Sequence, residues 1–459
     1  MTQHNSTIQA LKDLLGERVS TGSSVLDLHA SDEAHFRPSR PDAVVFPEST
    51  DDVVQIVRRC AADHCPIVPY GVGTSLEGHV IPINGGITVD TSRMNSVLQV
   101  NAEDMDAIVQ PGVTRVQLNE ALKTTGLMFT VDPGANATLG GMAATRASGT
   151  NAVRYGTMRE NVMAMEVVLA DGRVIKTGTR ARKSSAGYDL TRLFVGSEGT
   201  LGLITELTVR LFGQPETVAA ATCRFDSIEG AVNTVILAIQ LGIPLARIEL
   251  IDTLSIGALN RFNDDMNLTE APHLFLEFHG TEQGVAEQVA SFQELSNEGG
   301  GHEFKWATKN EDRTSLWRAR HDAYFATKAL RPGCEGMVTD SCVPISKLAE
   351  CIEQTQKAID RSGLLAPLIG HVGDGNFHLA ILIDPTDTSE LARAKALAGE
   401  INELSISLGG TVTGEHGVGM GKQPYMLAEH GDAYAIMGDI KKTFDPNNLF
   451  NPGKLVSIN

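Results

Sequence analysis

Apolar and polar positions along this chain follow two rhythms, and the change between them falls near residue 215. In "STDDVVQIVRRCAADHC" (49–65), Val53, Ile56, Val57 and Cys60 repeat at helical spacing. Ser49 or Thr50 can cap that helix, Asp51 and Asp52 suit its positive end, and Pro66 closes it. "PIVPYG" then predicts a short buried strand running into a glycine loop. "GGITVDTS" predicts a second strand, and "DAIVQPGV" a third that ends at Pro111–Gly112. Thr114 and Gln117 form a capping box for the helix in "VQLNEALKTTG", with Gly126 as its stop. "AMEVVLADGRVIKTG" reads as paired strands turning at Asp171–Gly172, and "GSEGTLGLITELTVRL" ends this half.

From about 216, strand-like runs ("AAATCRF", "RIELID", "HLFLEFHG") alternate with amphipathic stretches such as "SIEGAVNTVILAIQLG" and "GVAEQVASFQELSNE". That order predicts an antiparallel sheet covered on one face by helices. The closing segment, "FDPNNLFNPGKLVSIN", carries three turn signals and is expected to return to the first domain. The fold class is α+β, with expected domains at 38–215 and 216–425 and a returning segment at 426–459.

One hairpin concentrates chemistry. In "GHVGDGNFH" (370–378), Gly373–Asp374–Gly375–Asn376 suits a tight loop, which would set His371 opposite His378 on one face of two strands. Two imidazoles on one face supply two neutral ligands and leave room for a third. Glu415 in the glycine-rich "TGEHGVGMG" (413–421) is the best source of that third ligand. Two His and a carboxylate suit Zn²⁺, Mn²⁺ or Fe²⁺. Spacing alone leaves a metal site and two ordinary polar hairpin residues equally open.

Composition acts mainly by exclusion. At 459 residues the chain exceeds one usual core, and a net charge of −18 opposes a phosphate-tracking nucleic-acid binder. Six cysteines without a Cys-x-x-Cys pair match neither zinc nor iron–sulfur spacing and fit a reducing compartment. "MTQHNSTIQALKDLLGERV" has no apolar signal core, and the longest apolar stretch, 235–251, is broken by Gln240, Pro244, Arg247 and Glu249. No transmembrane segment is expected, and the location read from these features is cytoplasmic, at most peripheral to an inner membrane.

The glycine loops exclude two nucleotide motifs. "GVGTSL" has Leu76 where a dinucleotide fingerprint needs its third glycine, and "GVGMGKQ" has Gln423 where a Walker A loop needs Ser or Thr. Three loops remain: "PYGVGTSLEGH" (69–79), "DPGANATLGGMAATRASGTNAVRYG" (132–156) and "GSEGTLGLIT" (196–205). Rich in Gly, Ser and Thr and flanked by strands, they can wrap a phosphate with N–H groups and hydroxyls.

In this order the three loops resemble the FAD-binding domain of the vanillyl-alcohol-oxidase-type (PCMH-type) flavoproteins. With HxGDGNxH and GEHG, the chain resembles their D-lactate dehydrogenase and glycolate oxidase branch from about residue 38 to "NPGKL". The resemblance implies a two-subdomain FAD-binding domain and a cap domain. It implies that Pro69, Tyr70, Gly71, Gly73, Thr74 and Ser75 hold the pyrophosphate loop. Further FAD contacts follow from Pro133, Thr138, Gly140, Gly141, Ser148, Gly149, Tyr155 and Gly156, with Gly199 and Ile204 as a wall and Asn451 approaching from the C-terminus. Some relatives attach FAD through a histidine of the first loop; this branch looks non-covalent, so His79 is read as a loop residue.

The resemblance also favours the metal reading of His371, His378 and Glu415. Oxidising a 2-hydroxy acid removes a hydride, which flavin N5 accepts, and a hydroxyl proton, whose loss a divalent cation assists. His416, beside Glu415, becomes the candidate base. "LWRARHDAYF" (316–325) offers Arg318, Arg320 and His321; the branch's carboxylate-binding arginine matches Arg320, with Tyr324 one turn later. Asn376 matches a further substrate-side position. Relatives acting on D-2-hydroxyglutarate carry a lysine shortly before the Asp that is Asp340 here, where this chain has Val338 and Thr339. A small monocarboxylate is therefore expected: D-lactate first, then glycolate, with D-2-hydroxyglutarate dehydrogenase and glycolate oxidase subunit as alternatives. The expected acceptor is cytochrome c, a quinone or an electron-transfer flavoprotein, and a homodimer is compatible with the reading.

Overall fold

Ser49 accepts the Asp52 N–H, and the helix it caps, α1 (Thr50–Ala62), buries Val53, Val54, Ile56, Val57 and Cys60. That face packs on a four-stranded sheet in which β1 (Ala43–Val45), β2 (Ile67–Tyr70) and β3 (Ile87–Asp90) run parallel, with β3 between the other two, and Val19–Ser20 pairs antiparallel with β1 at the edge. A second sheet is antiparallel. Its strands are β4 (Val97–Asn101), β5 (Asp106–Val109), β6 (Val162–Val168), β7 (Val174–Lys176) and β8 (Leu203–Arg210), in the order β4-β5-β8-β6-β7. The β6–β7 pair turns where Asp171–Gly172 predicted. Thr114 and Gln117 make the expected capping box on α2 (Arg115–Ala121). That helix ends well before Gly126, because Lys123 and Thr125 donate to carbonyls three residues back and tighten the chain. A short helix, α3 (Leu139–Thr145), starts at Thr138.

The computed structural model describes residues 4–263 and 266–458, and the side chains of Ala319 and His321 lie outside that description. It divides into two units: residues 1–149, 156–214 and 415–459 form the first, and 150–155 with 215–414 form the second. In the first unit, Phe450 bridges Ile67 beside β2, and the Asn451 N–H donates to the Ile67 carbonyl at 2.7 Å. Buried Lys441, in the helix Ala433–Phe444, donates to the Thr200 and Phe450 carbonyls (2.7 and 2.8 Å) and pairs with Asp445.

The second unit is built on an antiparallel sheet. Its strands are β9 (Thr217–Phe225), β10 (Leu245–Ile251), β11 (His273–Gly280), β12 (Gly301–Ala307), β13 (Glu335–Val338), β14 (Leu368–His371) and β15 (Asn376–Ile383). They lie in the order β12-β9-β11-β10-β14-β15-β13, with Ser341–Cys342 also pairing β15. Side chains of one parity, among them Ala219, Ala221, Leu250, Leu276 and Phe377, enter one large core. Helices α4 (Ile228–Gln240), α6 (Glu282–Glu298), α8 (Leu348–Ser362) and α9 (Thr388–Ser407) cover that face, as the alternating pattern implied. On the opposite face Ala220, Ile251 and Phe275 meet α5 (Thr253–Phe262) and α7 (Asn310–Ala329). Among them the same face carries a group of polar side chains: Arg247, Glu249, Glu277, His279, His371 and His378. A buried polar sheet face is costly unless every group is paired, so its retention points to chemistry.

Asp252 caps α5, accepting the Ser255 N–H at 2.8 Å. Burial pushes its carboxyl up to about 6, against hydrogen bonds that favour the anion. An acid whose pKa is raised by folding stabilises the folded state at low pH and loses that contribution as pH rises through the folded value. Asn caps as well as Asp and carries no charge. Asp252→Asn is therefore expected to stabilise this unit, by about 1 kcal/mol more at pH 7.5 than at pH 5. Both tryptophans, Trp306 and Trp317, lie in this unit, so denaturant unfolding followed by their fluorescence reads it directly. A gain that is larger at pH 5 would contradict the assignment.

Candidate active site

The hairpin carries both histidines, in a register that differs from the expected one. His371 pairs with Asn376 and Ile369 with His378, so the loop is Val372–Gly375 and Asn376 is the first residue of β15 rather than a loop residue. The slip is two residues, which preserves the face because side chains alternate with period two. His371 and His378 are thus diagonal neighbours with ring centroids 5.2 Å apart. Asn376 lies between them on the same face.

Hydrogen bonds fix both imidazoles. His371 Nδ1 lies 2.6 Å from Glu249 Oε1, and His378 Nδ1 lies 3.0 Å from the Thr339 carbonyl. Burial alone would raise the Glu249 pKa, but His371 and Arg320 outweigh it and hold the group below its ordinary value. An ionised carboxylate and a carbonyl only accept, so each ring donates from Nδ1, and in its neutral form each carries the lone pair on Nε2. That is the tautomer a metal needs, with Nδ1–H held by an outer partner. The donor set of these two residues fits a divalent cation.

Arg320, on α7, donates from Nε to the other oxygen of Glu249 at 2.7 Å, a bond that uses neither of its two Nη groups. Tyr324, one turn on, is exposed, with Lys328 Nζ 5.9 Å from its ring centroid. Asn376 donates to Asp340 Oδ1 (2.8 Å) and the Ser341 carbonyl (2.9 Å), and its own Oδ1 accepts from no described residue. Asp340 also accepts from Thr413 Oγ1 at 2.8 Å. Tyr155, from the 150–155 piece, has its hydroxyl 2.7 Å from His279 Nδ1, and His279 Nε2 lies 2.7 Å from Glu277. The guanidinium of Arg247 sits over the Trp317 ring, 5.2 Å from its centroid, and pairs with Glu277.

In the first unit the three glycine loops converge. A Cβ on Gly71 would stand 2.4 Å from Thr138 Oγ1, so the first and second loops meet at a point only glycine allows. Gly140 packs on Pro111, Gly149 and Gly156 pack on Asp132 and Glu160, and Gly199 packs on the Pro69 ring. Gly141 donates its N–H to Thr138, Ile204 is buried in β8, and Pro133 and Ser148 are half-buried. None of the N–H groups of Gly71, Gly73, Thr74 and Ser75 donates to another described residue, which suits a loop that receives an anion. Tyr70 is the last residue of β2.

Asn451, at φ +41°, donates from Nδ2 to the carbonyls of His79 (3.0 Å) and Glu198 (2.8 Å), tying the first loop to the third. Glu198, itself at φ +53°, accepts the N–H groups of Val418 (2.6 Å) and Gly419 (2.8 Å). Its Oε1 stands 3.3 Å from His79 Nε2. Burial disfavours charge on His79, but Glu198 outweighs that and draws its pKa above the ordinary histidine value. The clamp grips the segment directly after Glu415 and His416, whose side chains are 3.8 Å apart. His79 is therefore a buried pairing partner rather than a plain loop residue.

The sequence matches the model of FAD linked oxidases, C-terminal domain, over residues 214–455 and that of the FAD binding domain over 41–178. The chain belongs to the FAD-linked oxidases. A "Probable D-lactate dehydrogenase, mitochondrial" of Danio rerio is 48% identical over 96% of this chain and 90% of that protein. The "D-lactate dehydrogenase [cytochrome], mitochondrial" of Arabidopsis thaliana is 46% identical over 98% of this chain and 80% of that one. The solved p-cresol methylhydroxylase has the same fold, with a TM-score of 0.81 at 20% identity over 98% of this chain and 96% of that chain. The names of the two relatives place them in mitochondria, which does not fit a plainly cytoplasmic location. No helix among the described residues is long and apolar enough to cross a membrane.

The convergent loops of this FAD-linked oxidase fit the cofactor: unspent N–H groups at 71–75, close glycine contacts and hydroxyls at Thr74 and Thr138. Sequence reasoning missed Glu198 and Glu249. Glu249 did leave a signal, an acid set between the apolar Ile248 and Leu250 of a strand. Glu198 left none, since "GSEG" reads as an ordinary polar loop.

Proposed function

We propose that this FAD-linked oxidase oxidises D-lactate to pyruvate and passes the electrons to a cytochrome. Near-full-length similarity to two proteins named D-lactate dehydrogenase carries the reading. The paired Nε2-presenting histidines and the arginine beside them support it chemically. Bound FAD supplies the hydride acceptor, and a divalent ion, Zn²⁺ or Mn²⁺, supplies the charge that acidifies the substrate hydroxyl. His371 and His378 would hold that ion with Glu415, the residue after Gly414, which itself packs against the Asn376 amide. Arg320 binds the substrate carboxylate end-on through its Nη groups, Asn376 orients the 2-oxygen, and Tyr324 closes the carboxylate side. His416 takes the hydroxyl proton. The FAD contacts are the sixteen residues from Pro69 to Ile204 named above together with Asn451.

Substrate size follows from the residues before Asp340. Thr339 is buried, with its hydroxyl accepting the Leu379 N–H and its carbonyl facing His378, and Val338 is apolar. A distal carboxylate there would lack a cation, at a cost of about 1–3 kcal/mol. Anaerobic addition of D-lactate should bleach the visible flavin absorption fully, and D-2-hydroxyglutarate should do so far more slowly. Bleaching by D-2-hydroxyglutarate with none by D-lactate would reverse the substrate assignment.

A further inference from the structure

Glu249 occupies an unusual position: a fully buried acid on a central strand, with each oxygen committed to a different functional side chain. Oε1 receives His371 Nδ1–H at 2.6 Å, and Oε2 receives Arg320 Nε–H at 2.7 Å. Sheet and helix bring the three together, since His371 closes β14, Glu249 lies on neighbouring β10, and Arg320 descends from α7. We propose that Glu249 is a positioning residue shared by the metal site and the carboxylate site. It holds His371 in the ligating tautomer and Arg320 in the substrate-binding rotamer, so that disturbing either site disturbs the other. The inference rests on the reading that His371 ligates a divalent ion and that Arg320 binds the substrate carboxylate.

The chemistry of the isosteric amide makes the argument sharp. A glutamine at 249 has one accepting and one donating end, but both neighbours present N–H groups. If its oxygen keeps Arg320, its NH₂ faces His371 Nδ1 and forces the proton to Nε2, the tautomer that cannot ligate. If its oxygen keeps His371, its NH₂ opposes Arg320 and displaces the guanidinium. No orientation satisfies both partners. The geometry gives a second consequence: Arg320, which is no metal ligand, fixes Oε2 and so holds the carboxylate plane that presents Oε1 to His371, and removing it frees the carboxylate to turn away.

The test measures retention of Zn²⁺ and Mn²⁺ by competition with a chelating dye, on the FAD-loaded full chain without substrate. KM for D-lactate is measured separately at saturating metal. Glu249→Gln should weaken metal retention by about 10–100-fold and also raise KM. Arg320→Ala should weaken metal retention by at least about fivefold. Arg320→Lys should restore most of that retention, because a cation again faces Glu249, while KM stays high for want of the planar fork. Metal affinity unchanged in Arg320→Ala, or a Glu249→Gln variant that loses only one of the two properties, overturns the shared role and leaves the metal reading standing. A wild-type chain that retains neither ion overturns both. Should Glu249→Gln fail to fold, the two Arg320 variants decide the question alone.

Discussion

His416→Ala is expected to keep its FAD and to slow flavin reduction by D-lactate by about 10²–10⁴-fold, the usual contribution of a positioned proton acceptor. The expectation comes from how the histidine is held. Its segment is fastened immediately downstream, where Glu198 accepts the Val418 and Gly419 N–H groups. Gly417 is pressed so closely on His79 that a Cβ would stand 2.6 Å from Nε2, at a φ of +84°. Little freedom is left to the residue just before it, so His416 is pre-positioned and its loss is not made good by a neighbour swinging in. FAD retention follows because the flavin loops are braced by their own contacts, among them Gly71 on Thr138 and Gly199 on Pro69. Rapid-mixing measurement of flavin bleaching decides the matter. An undiminished rate would remove His416 as the base, and loss of flavin would show that the segment serves binding instead.

Removing the divalent ion by chelation is expected to lower turnover by at least about a thousandfold and to leave the yellow colour intact. The size of the effect follows from acidity, since a bound divalent cation can lower the pKa of water from about 15.7 to about 7. An imidazole of ordinary basicity cannot make up that gap for an alkanol. Re-addition of Zn²⁺ and Mn²⁺ in turn, with turnover measured after each, identifies the working ion. Full activity in protein shown to be metal-free would end the Lewis-acid role. The histidines would then be structural members of the hairpin.

Much of this was legible in the sequence because local signals and tertiary structure agree. Ser49, the Thr114–Gln117 box and Asp171–Gly172 act within a few residues, and each appears where its chemistry placed it. The hairpin was legible in its face but not in its register. Period-two alternation cannot distinguish a two-residue slip, and only the pairing with β10 and β13 sets Asn376 opposite His371. Covering of the second sheet face was not legible at all. Helices α5 and α7 show no alternation that distinguishes one side of a sheet from the other, and only packing assigns them to Ala220, Ile251 and Phe275. Glu249 and Glu198 were hidden for a related reason: a carboxylate's partners lie far along the chain, 122 residues away for His371 and 220 for Val418.

The threading of the first unit dictates an order of assembly. Its first sheet and its cofactor loops are completed by Lys441, which donates to the Thr200 carbonyl, by Asn451, which donates to those of Ile67 and His79, and by Lys454, which donates to that of Ile81. During synthesis the central 200 residues of the other unit, Pro215–Gly414, emerge before those donors exist. The inserted body can therefore finish folding on the ribosome while the nucleotide cradle stands open, and flavin capture waits for the emergence of residues 441–454.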